Sequence, residues 1–454
     1  MSDSVQPPDP GRRRFFRQFA GEVATSVGSV IGAAQVLQQQ SADAARELLG
    51  GEEATGAADA EASARPAGSG ARREVDATTA GYRAPFRWDG DVCWVVDQRR
   101  LPDRLADIEV RGAADAVTAI NDGAITGGAV HAQLAAVTLA LVAARSISSR
   151  AFARRATLRG AANALRQTRP GSAAVALALD RMLALLESYD NDVPGEAVEA
   201  ALRGEAEAII AEASADHGAL VGHALSALAS LDGTELRVLT LGSTGAMGSG
   251  QFGTALSAII TAHHGDRPIH ALVAETRPTL EGARVATWEL AQAGVPHALV
   301  TDAGAAAAIE AGEVDAVLVT AERICANGDV LGLTGTYPLA LAAAAAGVPF
   351  VVLVATTGID LGTPDASTAP LEDGRQGPVL TAGGSRIAPE GTSVRNPRLD
   401  RTPASLLSAI VTEEGVIQAP LDEALATHVR LAVERRIVAP GFAAMVARRL
   451  ETTA

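Results

Sequence analysis

The sequence predicts an α/β protein built in two parts, a helical N-terminal domain followed by a parallel-sheet C-terminal domain. Three observations lead there. Short apolar runs rich in Val and Leu recur from residue 235 to 354 (ELRVLTLG, HALVAE, HALVTD, DAVLVT, FVVLV). Each run ends in a polar cluster that opens a helical pattern, the cadence of strand–loop–helix units in a parallel sheet. Residues 104 to 232 are by contrast Ala-rich and amphipathic, broken at GAITGGAV (123–130) and DNDVPGE (190–196), and read as helices. A chain of 454 residues is long enough for both parts and a tail.

Taken in order, residues 1–80 form a tail. Phe16, Phe19, Val23, Val27, Val30, Ala34 and Leu37 fall at helical spacing, which predicts an amphipathic helix over 13–38. The stretch after it, GGEEATGAADAEASARPAGSGARREVDATTAG, is too poor in large apolar residues to order itself. The helix is read as a docking element for a partner or a membrane surface, or as a tethered appendage with no specific role. Arg12-Arg13-Arg14-Phe15-Phe16-Arg17 also fits a twin-arginine export signal, although Glu22 interrupts the stretch that should carry no charge. Cytoplasmic placement is the expectation, with export as its alternative.

The second region, 84–232, opens with FRWDGDVCWVVDQRRLP, where alternation around Asp89-Gly90 predicts a β-hairpin. Helices fill the rest, up to a turn at Asp232-Gly233. The third region, 233–454, starts with the strand ELRVLTLG. GSTGAMGSGQFGTALSAIITAHH then opens a helix whose small residues let backbone amides approach an anion. The same pattern also serves as a plain tight turn in a parallel sheet.

Composition narrows the functions. Apolar residues make up 48% and aromatics 3%, so the core rests on Ala, Val and Leu. A net charge of −15 argues against nucleic acid as a partner, since phosphate neutralisation needs a basic face. The absence of lysine excludes Schiff-base chemistry on that residue and leaves Arg as the fork for phosphate or carboxylate. Cys93 and Cys325 supply neither a disulfide framework nor a metal cluster. No apolar run is expected to reach the length of a membrane span.

The polar clusters at strand ends gather Arg277, Glu281, Arg284, Asp302, Glu322, Arg323, Asn327, Asp329 and Thr336 on one rim of the sheet. Ser243, Thr244 and Gly245 join them from the first strand–helix turn. Among these, Ser243, Thr244, Gly245, Arg277, Glu281, Asn327 and Asp329 are the candidate ligand-binding residues. Glu322 is the candidate catalytic base; its alternative is an ion pair with Arg323 or Arg277. Asp329 is read as positioning a helix or as a hydroxyl ligand, and Cys325 as a buried inert thiol. His263 and His264 are read as C-terminal dipole partners of the preceding helix. Arg395 and Arg398 anchor a loop or a dimer contact. No cofactor or metal is expected.

The blocks ETRPTLEGARVATWEL, TAERICANGDVLGLTGTYPLAL and IAPEGTSVRNPRLDRTPASLLSAIVTEEGV resemble a known family. It unites methylthioribose-1-phosphate isomerases, ribose-1,5-bisphosphate isomerases and the regulatory subunits of translation initiation factor 2B. The hairpin WDGDVCWVVDQRRLP resembles the isomerase branch in particular, and the similarity spans about residues 86 to 430. The resemblance implies a helical domain on a Rossmann-like domain, a homodimer, and a sugar-phosphate pocket between the two domains. Family isomerases move a proton between C2 and C1 of an opened aldose phosphate, the methylthioribose reaction belonging to methionine salvage, with a cysteine and an aspartate beside the substrate. Here the cysteine position holds Gly242 and the aspartate position Glu322. A phosphate-binding arginine is replaced by Thr126, a glutamine by Glu281, and an Asn-Lys pair by Gly332-Leu333.

These departures predict a divergent member that binds a small phosphorylated metabolite with a degenerate isomerase site. The alternatives are an active aldose–ketose isomerase using Glu322, and a non-catalytic scaffold recruited through helix 13–38.

Overall fold

The computed structural model describes residues 74–76 and 84–453, save Ser230, Asp232 and Asp266. The expected helix over 13–38, most of the linker after it, and Asp232 of the expected boundary turn lie outside the described residues. Four antiparallel strands come first, β1 (Glu74–Asp76), β2 (Phe86–Asp89), β3 (Val92–Val96) and β4 (Arg104–Val110), in the order β1-β4-β3-β2. The β2–β3 pair is the expected hairpin, with Asp89 opposite Val92 and Gly90 at φ +54° in the turn. The helical reading from residue 104 needs correction, because RLADIEV is β4. Its inward residues Leu105 and Val110 are fully buried.

Five helices follow: α1 (Ala113–Asn121), α2 (Gly128–Arg145), α3 (Ala151–Thr168), α4 (Ala173–Glu187) and α5 (Gly195–Ala229). They pack around α2, whose residues Leu134, Val137, Leu139 and Leu141 sit in one core with Leu158, Leu165, Leu179 and Met182. Alanines fill the spaces between them, allowing helices poor in aromatics to approach closely. Contrary to the expectation about apolar runs, the 18 residues of α2 are long and apolar enough to cross a membrane; most of the helix is buried, as befits a core helix.

The C-terminal domain holds a seven-stranded sheet. Its strands are β5 (Leu236–Leu241), β6 (Ile269–Ala274), β7 (His297–Val300), β8 (Ala316–Val319), β11 (Phe350–Leu353), β16 (Ala409–Thr412) and β17 (Gly415–Ile417), in the order β17-β16-β11-β8-β5-β6-β7. Six strands are parallel and only β17 runs against its neighbour. All five apolar runs read from the sequence therefore share one sheet. Strand order reverses between β5 and β8, a topological switch point, and open sheets of this kind bind ligands outside the carboxyl ends of the strands there. A small second sheet, β12-β9-β10-β15, is formed by β9 (Arg323–Cys325), β10 (Val330–Leu333), β12 (Ile359–Asp360) and β15 (Leu399–Thr402). It carries the chain across that edge.

The helix expected straight after β5 is interrupted. A single turn, α6 (Ala246–Ser249), precedes Gly250 at φ +115°, and only then does α7 (Ala255–His264) begin. The break exists because α6 docks on the N-terminal domain: Gln133 of α2 donates to the Ser249 carbonyl at 2.6 Å, and Gln98 donates to the Met247 carbonyl at 2.8 Å.

Candidate active site

The domains meet where glycine alone fits. A Cβ on Gly127, whose φ is +108°, would lie 1.9 Å from the Gly248 carbonyl oxygen, and one on Gly128 would lie 2.2 Å from Oε2 of Glu322. The amino end of α2 thus abuts the carboxylate of Glu322, at the positive pole of an 18-residue helix. The backbone ties the same region together. Ala173 N donates to the Glu322 carbonyl at 2.9 Å, and Arg323 Nε donates to the Gly171 carbonyl at 3.2 Å. Arg323 also pairs with Asp360, so its guanidinium is committed to architecture. Glu322 has no ion-pair partner among the described residues, which removes the pairing expected as its alternative role.

Around Glu322 lies a narrow pocket of about 20 Å³ at the switch point, walled by Gly127, Gly128, Ser243, Glu281, Thr320, Leu333, Thr336 and Arg398. Unpartnered buried polar atoms converge on it: Oε2 of Glu322, Oε2 of Glu281 and Oγ of Ser243. Buried polar atoms without partners are costly, and their concentration in one cleft marks a place built to receive polar groups.

Glu281 is fully enclosed. Burial pushes its carboxyl above the ordinary carboxylate range; Arg398 and Arg169 act in the opposite direction, and the charge of Glu322 adds to the rise. Its position is fixed by a π-turn, Gly282–Ala286, leading into α8 (Thr287–Gln292). A Cβ on Gly282 would lie 1.9 Å from the Ala274 carbonyl oxygen. Thr126, at the position of the family arginine, is itself held by Gln98, to whose Oε1 its hydroxyl donates at 2.7 Å.

Two cations approach from outside the C-terminal strand ends. Arg169, buried at the end of α3, donates to the carbonyls of Thr168 (2.6 Å) and Ile120 (3.1 Å), and lies 3.9 Å from Glu372. Burial and the neighbouring Arg398 lower its guanidinium pKa to about 10, against the pull of Glu372, Glu322 and Glu281. Arg398 pairs with Glu372 at 3.0 Å. Burial raises the Glu372 carboxyl too, opposed by both arginines. The inner site therefore sets Glu281, Glu322 and Glu372 against Arg169 and Arg398. His131, one turn into α2, is kept neutral by burial and by Arg169.

Gly242 ends β5 at φ +82°. A Cβ built there would lie 2.6 Å from Cδ1 of Leu333 and 3.8 Å from Oε1 of Glu281. Leu333 thus occupies the space beside Gly242. Gly332 is equally constrained, because its Cβ would lie 2.4 Å from Thr336 Oγ1.

The remaining candidates fall in three places. Ser243 is in the pocket wall. Thr244 and Gly245 serve the fold: Thr244 Oγ1 accepts from Leu256 N at 3.1 Å, and Gly245 makes room for the Glu289 carboxylate. Arg277 and Arg284 lie further out, in a mouth of about 270 Å³ that opens to solvent. Asp302 holds the loop there, accepting from the amides of Thr276 (2.8 Å) and Arg277 (2.6 Å).

Asn327 and Asp329 are not brought to the pocket. Asn327 donates to Asp329, whose carboxylate accepts from Ala404 N at 3.0 Å and Ala366 N at 3.3 Å, so the pair secures loops. Cys325 is buried, and its thiol is pushed up to about 12. Arg169 and Glu372 were not singled out in the sequence. Arg169-Pro170, closing an amphipathic helix, is the one signal that pointed to the first of them. Among the described residues no group of His, Cys, Asp and Glu is arranged to hold a metal.

Comparison with known proteins agrees with this architecture. The model of the initiation factor 2 subunit family matches residues 125–419. The chain belongs to that family. A methylthioribose-1-phosphate isomerase from Syntrophotalea carbinolica is 38% identical over 334 residues, 74% of this chain and 96% of the relative. One from Chloroflexus aurantiacus is 38% identical over 338 residues, with the same coverage. In structure, the chain resembles the 5-methylthioribose 1-phosphate isomerase of Pyrococcus horikoshii OT3 (TM-score 0.66, 29% identity, covering 77% of this chain and 96% of that one). It also resembles the eIF-2B delta subunit of A. fulgidus (TM-score 0.63, 28% identity, covering 76% and 99%).

Proposed function

We propose that this family member binds a small phosphorylated metabolite in the interdomain cleft and does not carry the ordinary methylthioribose-1-phosphate turnover of its relatives. The observation that carries this reading is the pairing of Gly242 with Leu333. No thiol stands at the end of β5, and the neighbouring side chain fills the space one would need. Loss of a general acid or base typically costs a factor of about 10²–10⁴ in rate. The carboxylate of Glu281 beside that space adds a repulsion toward any anionic intermediate. Coverage of 96% of the relatives' length supports a ligand of the same chemical class.

A second reading is favoured by Glu322 itself. Its unpartnered carboxylate faces the amino end of α2 inside the pocket, and a carboxylate there is placed to take a proton from C2 of an opened aldose phosphate and return it at C1. Under either reading the protein acts in the cytoplasm as a homodimer, with residues 13–38 as a docking helix. Light scattering and deletion of residues 1–80 test those points, since the deletion should abolish recruitment and leave pocket binding intact.

The decisive test of binding is a thermal-shift panel over sugar phosphates and nucleotides. A ligand present at about 100 times its Kd stabilises by about 2.7 kcal/mol, a shift of several degrees. A sugar phosphate that shifts the wild type and fails to shift Glu322→Gln or Ser243→Ala supports the reading. Recognition of nucleotides with no response to sugar phosphates would overturn it.

A further inference from the structure

The cleft has two compartments of opposite character. The inner pocket presents Glu281 and Glu322, and its cations Arg169 and Arg398 are already engaged by Glu372 and by backbone carbonyls. The mouth joins it through Glu281, Leu333 and Arg398, and is lined further by Arg99, Arg277, Arg284 and Arg375. Arg99 is neutralised by Asp97 at 2.7 and 2.9 Å, and Arg375 lies 3.3 Å from Asp122. The guanidinium of Arg277 donates to the Pro378 carbonyl, at 3.1 Å, and neither it nor Arg284 has an ion-pair partner among the described residues. The mouth therefore keeps two uncompensated guanidinium groups seven residues apart on one loop-and-helix start.

That loop has a strained backbone. Thr276 and Leu280 flank it at φ +63° and +58°, left-handed conformations that non-glycine residues adopt at a cost and that cluster at ligand sites. Thr334 and Asn396 across the mouth donate to the carbonyls of Pro397 (2.6 Å) and Arg375 (2.9 Å) and so brace its far wall.

We propose that the phosphate of the ligand sits in the mouth, between Arg277 and Arg284, while its hydroxyl-bearing end reaches Ser243, Glu281 and Glu322 inside. This rests on the sugar-phosphate reading and specifies its geometry: the anion lies outward, the neutral polyol inward. A phosphate placed inside would face two carboxylates, whereas hydroxyls there can donate to Glu281 and Glu322 and satisfy their unpartnered oxygens. The fork geometry of arginine suits a phosphate ester.

Isothermal titration of the full-length protein with ribose 5-phosphate, ribose and inorganic phosphate tests this. Ribose 5-phosphate is expected to bind more tightly than either fragment, with affinity falling as salt rises. Arg277→Gln with Arg284→Gln should weaken ribose 5-phosphate and inorganic phosphate alike, by about 100-fold or more for the sugar phosphate. Ser243→Ala should weaken ribose 5-phosphate and leave inorganic phosphate unchanged. Arg284→Gln alone breaks no ion pair within the described protein, so it carries the test if the double variant loses its cooperative melt; about tenfold weakening is expected. Wild-type affinity in the arginine variants would overturn the mouth assignment while leaving the sugar-phosphate reading standing. A wild type that binds none of the three probes at millimolar concentration would overturn both.

Discussion

Returning a cysteine to the end of β5 is the sharpest perturbation this site offers. In Gly242→Cys the new Cβ meets Leu333 Cδ1 at 2.6 Å, about 1 Å inside the ordinary carbon–carbon contact, and the residue keeps φ +82°. The backbone term costs about 1–2 kcal/mol and the overpacking about 1–3 kcal/mol, so the single variant should lose roughly 2–5 kcal/mol. Leu333→Ala, at a half-buried position, should cost about 1–2 kcal/mol, less than a fully buried leucine. In the double variant the steric part disappears and the backbone part stays. The cycle should therefore show a favourable coupling of about 1–3 kcal/mol. Equilibrium urea unfolding of the wild type, both single variants and the double variant measures it. Additivity within about 0.5 kcal/mol would refute the claim that Leu333 fills the thiol's place. The Cβ that carries the thiol in the double variant would lie 3.8 Å from Glu281 Oε1, so the thiolate should be disfavoured and alkylation by iodoacetamide slow at neutral pH.

Two further outcomes follow from buried charge. Burial raises the Glu289 carboxyl to about 7, despite the amides of Met247 and Ala246 that it caps. Its folded pKa lies above the unfolded one, so the native state holds the proton more tightly, and this group subtracts stability as pH climbs from about 4.5 to 7, by up to about 3 kcal/mol. Glu289→Gln should therefore gain on the wild type between about pH 5 and pH 8 in thermal melts; a pH-independent difference would contradict this. Arg436 joins α12 (Leu421–Arg436) to Asp216 on α5, to Glu413 at 2.8 Å and to Thr356 at 2.9 Å. Arg436→Met leaves those carboxylates buried with only Arg435 to compensate, and a loss of about 3–5 kcal/mol in urea unfolding is expected. A loss below about 1 kcal/mol would show that the network is dispensable.

The parallel sheet was legible because its strands are short apolar runs of Val, Leu and Ala, the central ones β5, β8 and β11 buried on both faces, and the switch point follows from their order. Strand β4 was not, since Arg104, Asp107 and Glu109 within RLADIEV mask its alternation and an Ala-rich helix follows directly. Glu322, Glu281 and Ser243 were legible as polar residues closing strands. Asn327 and Asp329 share that position in the sequence but turn outward to secure loops, a direction that sequence order does not encode. Arg169 and Glu372 reach the cleft from another domain and from a long excursion between β12 and β15. Such contacts depend on tertiary docking, here the close approach of Gly127 to Gly248.

Turnover of methylthioribose 1-phosphate decides whether this pocket has lost the isomerase machinery, as we propose. The purified chain and the Syntrophotalea carbinolica relative should be assayed side by side, together with Glu322→Gln. The structure predicts a rate for this chain at least about 100-fold below the relative's, with little further change in the variant. A rate within about tenfold of the relative's, abolished by Glu322→Gln, would show that Glu322 alone sustains the proton transfer and that the cysteine was never essential.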